Sequence, residues 1–300
     1  MLTIGSRGSQ LALWQANWIS ARLASLGAAA NIEIIRTTGD KITGVALSKA
    51  GTKGLFTKEL EEALLEGRVD VAVHSLKDMP TDIPAGLTLA AVPEREDPRD
   101  AVLGRRLKDL APGARVGTSS LRRAAQIRLI RPDLVVDDLR GNLDTRVRKL
   151  DQGEYDAIIL AAAGLRRLGW QDRIAELLDP SVMCPAAGQG ALAVETRSAP
   201  DAARDLCAAL DHPETRAAVT AERAVLAGLG GGCQVPIGAN AVAAGGQLRI
   251  DAAVIAPDGS RMVRRSAEGP VSEAAGIGAR LALELLSAGA DAILESVYGS

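Results

Sequence analysis

Between Leu2 and Ala162 short aliphatic runs recur, and several follow one pattern. A short aliphatic run ends in a corner of glycine, hydroxyl and basic residues, and a helical pattern follows. Apolar runs of four to six residues alternating with amphipathic helices confine a chain to α/β architecture with a parallel, doubly wound sheet. Leu2 to Ile4 is the first run, Gly5-Ser6-Arg7-Gly8-Ser9 the first corner, and Gln10 to Leu26 the first helix, with Leu11, Trp14, Trp18, Ile19, Leu23 and Leu26 on one face. Ser9 is placed to cap that helix and Gly27 to end it. Ile32 to Arg36, Val69 to His74 and Leu87 to Val92 are expected as further strands, and Leu55 to Glu66 as a helix.

Pro93 to Arg99, charged and bracketed by prolines, reads as a linker to a second series. Its strands are Asp100 to Leu103, Ala114 to Gly117, Leu134 to Leu139 and Asp156 to Ala162. Its helices lie near Ser119 to Ile130 and Asn142 to Gln152. A second Gly/Pro connection, Val182 to Gly190, leads to a strand at Ala191 to Thr196 that is expected to return to the first lobe's sheet. Helices follow near Ala202 to Leu210 and Glu214 to Ala227. Three strands, Val235 to Val242, Leu248 to Ile255 and Arg261 to Ala267, form an antiparallel meander with turns at Gly245-Gly246 and Pro257-Asp258-Gly259. A helix from Val271 to Ser287 closes the chain. The expected division is therefore 1–95 with 190–205, 96–189, and 206–300.

With one Phe, two Tyr and three Trp in 300 residues, aliphatic side chains must fill the cores. The formal net charge of −2 argues against a general nucleic-acid binder. Three distant cysteines and two histidines argue against a disulfide framework and against a zinc or histidine metal site. The N-terminal residues lack a signal-peptide apolar core, and no run approaches about 20 apolar residues, so a soluble cytosolic protein without membrane spans is expected.

The corners carry the chemistry. Free N–H groups at a helix start favour anions, and Arg7 adds a cation there; the competing reading is a solvated arginine. Gly117-Thr118-Ser119-Ser120-Leu121-Arg122-Arg123 and Arg140-Gly141-Asn142, with Arg146 a turn later, repeat the theme, and Gly164-Leu165-Arg166-Arg167 is a weaker instance. Guanidinium forks suit carboxylate or phosphate. Several such clusters in a weakly acidic chain point to a ligand with many negative groups. Ser75-Leu76-Lys77-Asp78 follows a buried strand, where ligands of open α/β sheets bind. There Asp78 suits proton transfer or stabilisation of a developing cation; an ordinary Lys–Asp turn is the alternative. The polar stretch Thr37 to Lys53, with Lys41, Lys49 and Lys53, is either a cationic lid or a solvated loop. Gly230-Gly231-Gly232-Cys233-Gln234-Val235-Pro236 presents a cysteine on a bendable tip, either for covalent attachment or merely within a surface turn. Cys184 and Cys207 read as buried filler.

Taken together, Arg7 to Gln15, Lys53 to Phe56, Val73 to Pro80, Glu94 to Ala101, Gly117 to Arg123, Leu139 to Asn142 and Gly231 to Pro236 resemble the porphobilinogen deaminase (hydroxymethylbilane synthase) family over essentially the whole chain. The resemblance implies two domains like type II periplasmic binding proteins plus a small α+β C-terminal domain. It implies a transferase that joins four porphobilinogen molecules head to tail, with loss of ammonia, into hydroxymethylbilane. It implies a dipyrromethane cofactor held by a thioether at Cys233, with Asp78 as the catalytic group. Ser75, Lys77, Asp78, Thr118, Ser120, Arg122, Arg123, Arg140 and Arg146 match cofactor-binding positions, and Arg7, Ser9, Gln15, Arg140, Arg146 and Arg167 match substrate-binding ones. Lys49, Lys53 and Phe56 match the lid. The same resemblance implies a cytoplasmic monomer that passes its product to uroporphyrinogen-III synthase, with no metal. A cytosolic anion-binding module of the periplasmic-receptor type is the alternative, and it leaves the cysteine loop unexplained.

Overall fold

The computed structural model describes residues 1–41, 54–231 and 235–298. The chain separates into two compact units, Met1–Glu96 with Ala191–Arg216, and Asp97–Gly190 with Ala217–Ser300.

In the first unit, β1 (Leu2–Ser6) leads through Ser9 into α1 (Gln10–Ser25), β2 (Ala30–Ile34), the single turn α2 (Thr38–Lys41), α3 (Lys58–Leu65), β3 (Val71–Ser75) and β4 (Leu87–Ala91). Ser9 caps α1 by accepting a hydrogen bond from the N–H of Ala12 at 3.3 Å. Ala16, Ile19 and Leu23 of α1 pack on Ile4, Val71 and Val73. Leu60, Ala63 and Leu64 of α3 join Ile35, Val69 and Ala72 in a separate core. Alternate residues of each strand face opposite sides, so α1 and α3 cover the two faces.

The second unit begins with β5 (Asp100–Gly104), β6 (Arg115–Gly117), α4 (Leu121–Ile130), β7 (Val135–Asp137), α5 (Leu143–Asp151), β8 (Ala157–Ala161), α6 (Ala162–Arg167) and β9 (Ile174–Leu178). The strand β10 (Leu192–Arg197) then lies in the first sheet, as expected. The helices α7 (Ala202–Ala208) and α8 (Pro213–Gly228) precede the meander β11 (Ile237–Ala244), β12 (Gln247–Ile255) and β13 (Met262–Pro270). The chain ends in α9 (Ala274–Leu285) and α10 (Asp291–Tyr298).

The sheet orders are β2-β1-β3-β10-β4 and β7-β6-β8-β5-β9. With the meander β11-β12-β13, these are the two doubly wound layers and the small third sheet that the fold reading required. Neither large sheet is wholly parallel, which corrects the sequence expectation. The strand β10 runs antiparallel to β3 and β4, and β5 runs antiparallel to β8 and β9. The physical reason is connectivity. A parallel neighbour needs a helical crossover, and only a 3₁₀ turn at Leu107–Asp109 lies between β5 and β6. The sequence reading also left β9 unassigned. Its Ile-Ala-Glu-Leu-Leu composition favours helix, and pairing with β5 overrides that preference. The expected last helix ended at Ser287; beyond it Gly289, with a φ of +94°, breaks the helical path, and α10 follows as an element the sequence reading did not assign.

In the C-terminal sheet, Gly245 and Gly246 both adopt positive φ in the β11–β12 turn, the backbone that a two-residue hairpin demands. Val225 and Ala221 of α8 and Ile277 and Leu281 of α9 fill the core against Ile250 and Ala252. Gly278 lets α9 sit on the α8 backbone: a Cβ there would collide with the Ala221 carbonyl oxygen and lie 2.8 Å from Ala224 Cβ. Gly278→Ala is therefore expected to destabilise the protein by about 1–3 kcal/mol through overpacking, seen as a lower denaturation midpoint at unchanged slope. The same sheet joins the second α/β layer through Ala125, Cys184, Ala253 and Ile255. Cys184 and Cys207 are buried thiols, each pushed up to about 12 by burial. No helix among the described residues is long and apolar enough to cross a membrane.

Candidate active site

Two groups of predicted residues assemble, one in each unit. In the first, the parallel strands β2, β1 and β3 end side by side. The end of β3 is pinned on its flanks. Gln15 Nε2 donates to Ser75 Oγ at 3.0 Å. His74 Nε2 lies 3.0 Å from Glu195 Oε2, both side chains being buried. The backbone then turns once as a 3₁₀ helix over Leu76–Asp78, with Leu76 N–H bound to the Ala191 carbonyl at 3.0 Å and Met79 N–H to the Leu76 carbonyl at 3.1 Å. Leu76 and Met79 are buried, so they anchor the turn, while Lys77 and Asp78 are half-buried between them. Among the described residues no hydrogen bond or ion pair engages the Asp78 carboxylate.

Arg7, immediately after β1, is directed differently from the simple anion-site expectation. Its Nη2 lies 2.5 Å and its Nε 3.2 Å from Asp40 Oδ1, and its guanidinium carbon stands 4.2 Å from the centroid of Phe56. Phe56 sits in the turn before α3, not within the expected helix, and so reaches Arg7. Burial raises the Asp40 carboxyl, but Arg7 and Thr37 outweigh it and hold the group below the ordinary carboxylate range. Lys49 and Lys53, with the rest of the expected lid from Ile42 on, lie outside the described residues. So does Cys233.

In the second unit, the strand ends β6, β7 and β8 carry the arginines. Ser120 caps α4, its N–H bound to Thr118 Oγ1 at 3.2 Å and its Oγ accepting from the Arg123 N–H at 3.4 Å. The first turn of α4 therefore fixes Arg122 and Arg123, and both side chains are buried. They converge on Asp100 at the head of β5, which is wholly buried. Arg122 Nη1 donates to Asp100 Oδ2 at 2.7 Å and to the Cys184 carbonyl at 2.6 Å. Arg123 Nε donates to Asp100 Oδ1 at 2.9 Å and its Nη1 to the Ile159 carbonyl at 3.1 Å. Gln189 Nε2 adds a third donor to Asp100 at 2.9 Å. Burial alone would raise the Asp100 carboxyl; Arg122 and Arg123 overcome it and hold the group far below the usual range. Asp100 and Gln189 are residues the sequence reading passed over as site members. The available signal was an acid opening an otherwise apolar strand, Asp-Ala-Val-Leu.

Arg140 Nε meets Asp138 at 2.6 Å, Arg146 Nε the Gly141 carbonyl at 2.8 Å, and Arg167 Nη2 the Gly190 carbonyl at 2.6 Å. Each of these guanidiniums is thus oriented by backbone or a neighbouring acid at a strand end. Arg122 and Arg123 share Asp100, and Arg122 Nε is buried with no hydrogen-bond partner among the described residues. An unsatisfied buried donor is costly unless an anion or water completes it. Residues of this kind fit a cofactor bearing several carboxylates.

Among solved structures, the methionine-binding protein MetQ is similar at 11% identity and a TM-score of 0.45, covering 70% of this chain and 89% of that one. Among curated proteins, the porphobilinogen deaminase of Pelobacter propionicus is 52% identical, covering 99% of this chain and 97% of that protein. That of Roseiflexus castenholzii is 54% identical, covering 98% of each. A family model described as porphobilinogen deaminase, dipyromethane cofactor binding domain, matches residues 2–205, and one described as the C-terminal domain of the same enzyme matches residues 216–287. With both models and near-complete relatives in agreement, the chain belongs to the porphobilinogen deaminase family.

Proposed function

We propose that the chain condenses four porphobilinogen molecules head to tail, releasing ammonia each time, to give the linear tetrapyrrole hydroxymethylbilane, with Cys233 carrying a dipyrromethane primer. The observation that carries this reading is the Asp78 carboxylate, held half-buried on a pinned strand end with no partner among the described residues. Loss of ammonia from the aminomethyl group places positive charge on the pyrrole ring, and a fixed carboxylate lowers the barrier to forming that charge. At the same sheet end Lys77 and Ser75 serve cofactor binding, and Arg7, Ser9 and Gln15 serve substrate binding.

When bound, the dipyrromethane supplies a pyrrole ring with a nucleophilic α-carbon to which the first substrate is joined. Arg122, Arg123, Arg140 and Arg146, with Thr118 and Ser120, hold its acetate and propionate groups. Arg140, Arg146 and Arg167 also hold those of incoming rings. Guanidinium forks suit this task because each carboxylate takes two parallel hydrogen bonds. The three-part domain division belongs to this proposal. So do action as a cytoplasmic monomer and delivery of the product to uroporphyrinogen-III synthase.

The test uses the intact purified protein. Its mass should exceed the sequence mass by a covalently bound pyrrole dimer, an acidic aldehyde reagent should colour it, and porphobilinogen should be consumed with release of ammonia. Protein of sequence mass that binds the pyrrole without consuming it would overturn the reading and leave an anion-binding module.

A further inference from the structure

Arg7 and Asp40 form an ion pair at the sheet end that presents Asp78, and the pair is built unequally. Asp40 Oδ2 accepts from the Thr37 N–H at 3.2 Å and from the Thr37 hydroxyl at 2.8 Å. Arg7 Nη2 and Nε converge on Oδ1, at 2.5 and 3.2 Å, and Nε reaches Oδ2 only at 3.5 Å. Oδ2 thus keeps both Thr37 donors if Arg7 is drawn away, whereas Oδ1 loses its partner. Arg7 in turn is backed by Phe56, which supports the guanidinium whichever carboxylate it meets. The side chains of Arg7 and Asp40 are 20% and 27% exposed, so a ligand arriving from solvent reaches both.

Porphobilinogen carries carboxylates and, at neutral pH, a protonated aminomethyl group. It is therefore the charge complement of this pair. We propose that Asp40 is a specificity-determining residue: a substrate carboxylate takes Arg7, and the freed Oδ1 of Asp40 accepts a hydrogen bond from the substrate's ammonium. This inference rests on the function proposed above. It gives the site a means of telling an incoming monomer from a ring already joined, since joined rings have lost their nitrogen and leave Oδ1 unsatisfied. Discrimination against an analogue that lacks a required polar group is large for that reason.

The experiment compares wild-type holoprotein with Asp40→Asn and Asp40→Glu. It measures kcat and KM for porphobilinogen, and inhibition by the same pyrrole dicarboxylate bearing a methyl in place of the aminomethyl group. A partly exposed ion pair contributes little to folding, so melting temperature and cofactor loading by intact mass should hardly change. In Asp40→Asn, KM should rise about tenfold or more, as expected for a lost charge-assisted hydrogen bond. Inhibition by the methyl analogue should be unchanged or tighter, because Arg7 is no longer occupied. Asp40→Glu should recover part of the discrimination. An unchanged KM in Asp40→Asn, or a KM and an inhibition constant that rise together, would overturn the proposal. Asp40→Ser, read the same way, replaces the Asn variant if that fails to fold. A wild-type protein that makes no bilane would defeat the proposed function itself, and that failure shows before any substitution is made.

Discussion

Asp78→Asn is expected to lower turnover by about two to three orders of magnitude, the cost of removing one preorganised group aimed at developing charge. The amide keeps the size of the carboxylate, and the strand end stays pinned by Gln15–Ser75 and His74–Glu195. Folding and the first loading of the cofactor should therefore persist. Steady-state assay of bilane formation checks the rate, and intact mass checks the loading. A variant turning over at the wild-type rate would remove Asp78 from the chemistry. A variant with no bound pyrrole dimer would show instead that Asp78 also serves attachment.

Asp100→Asn has the second large expected effect, on stability. Its carboxylate is wholly buried between Arg122 and Arg123. Breaking a buried charged pair by removing one member costs about 3–5 kcal/mol, because the other charge remains without compensation. Here two guanidiniums would remain. Chemical denaturation should show the midpoint falling by the corresponding amount. The pH dependence has a fixed sign. The folded-state carboxyl is lowered: burial opposes ionisation, and Arg122 and Arg123 favour it more strongly. The unfolded chain therefore binds the proton first, and stability rises with pH in that range. The contribution is present above the ordinary carboxylate value of about 4 and is lost as pH falls from there through the lowered folded value. The variant's stability should be flatter than the wild type's across that acid range, and equal slopes would show that Asp100 is not the group responsible.

Periodicity made much of this fold legible. The helical face Ile19–Leu23 and the runs Val71–Ser75 and Ala157–Ala161 announce themselves, because a buried strand or an amphipathic helix permits few other patterns. The return of β10 to the first sheet was also expected. Strand direction was not readable, since reversing β5 changes neither its composition nor its burial. β9 was hidden for the opposite reason: its local preference is helical and only its partner makes it a strand.

The site divides along similar lines. Corners such as Gly117–Arg123 show in the sequence because cap and cation are neighbours in the chain. Asp100 with Arg122, and Asp40 with Arg7, are brought together by topology, and no spacing rule pairs them. For that reason the sequence reading noted the cations but placed the acids elsewhere, whereas several of those cations are paired with acids.

The inserted strands also bear on biosynthesis at the ribosome. β4 is joined to its sheet through β10 alone, and β10 is made some hundred residues later. A nascent chain that has emerged only as far as Gly190 holds β3 and β4 with an open slot between them, two unpaired edges of the kind that invite aggregation. The N-terminal layer is consequently unable to mature first and wait. Its completion is postponed until β10 itself has been translated.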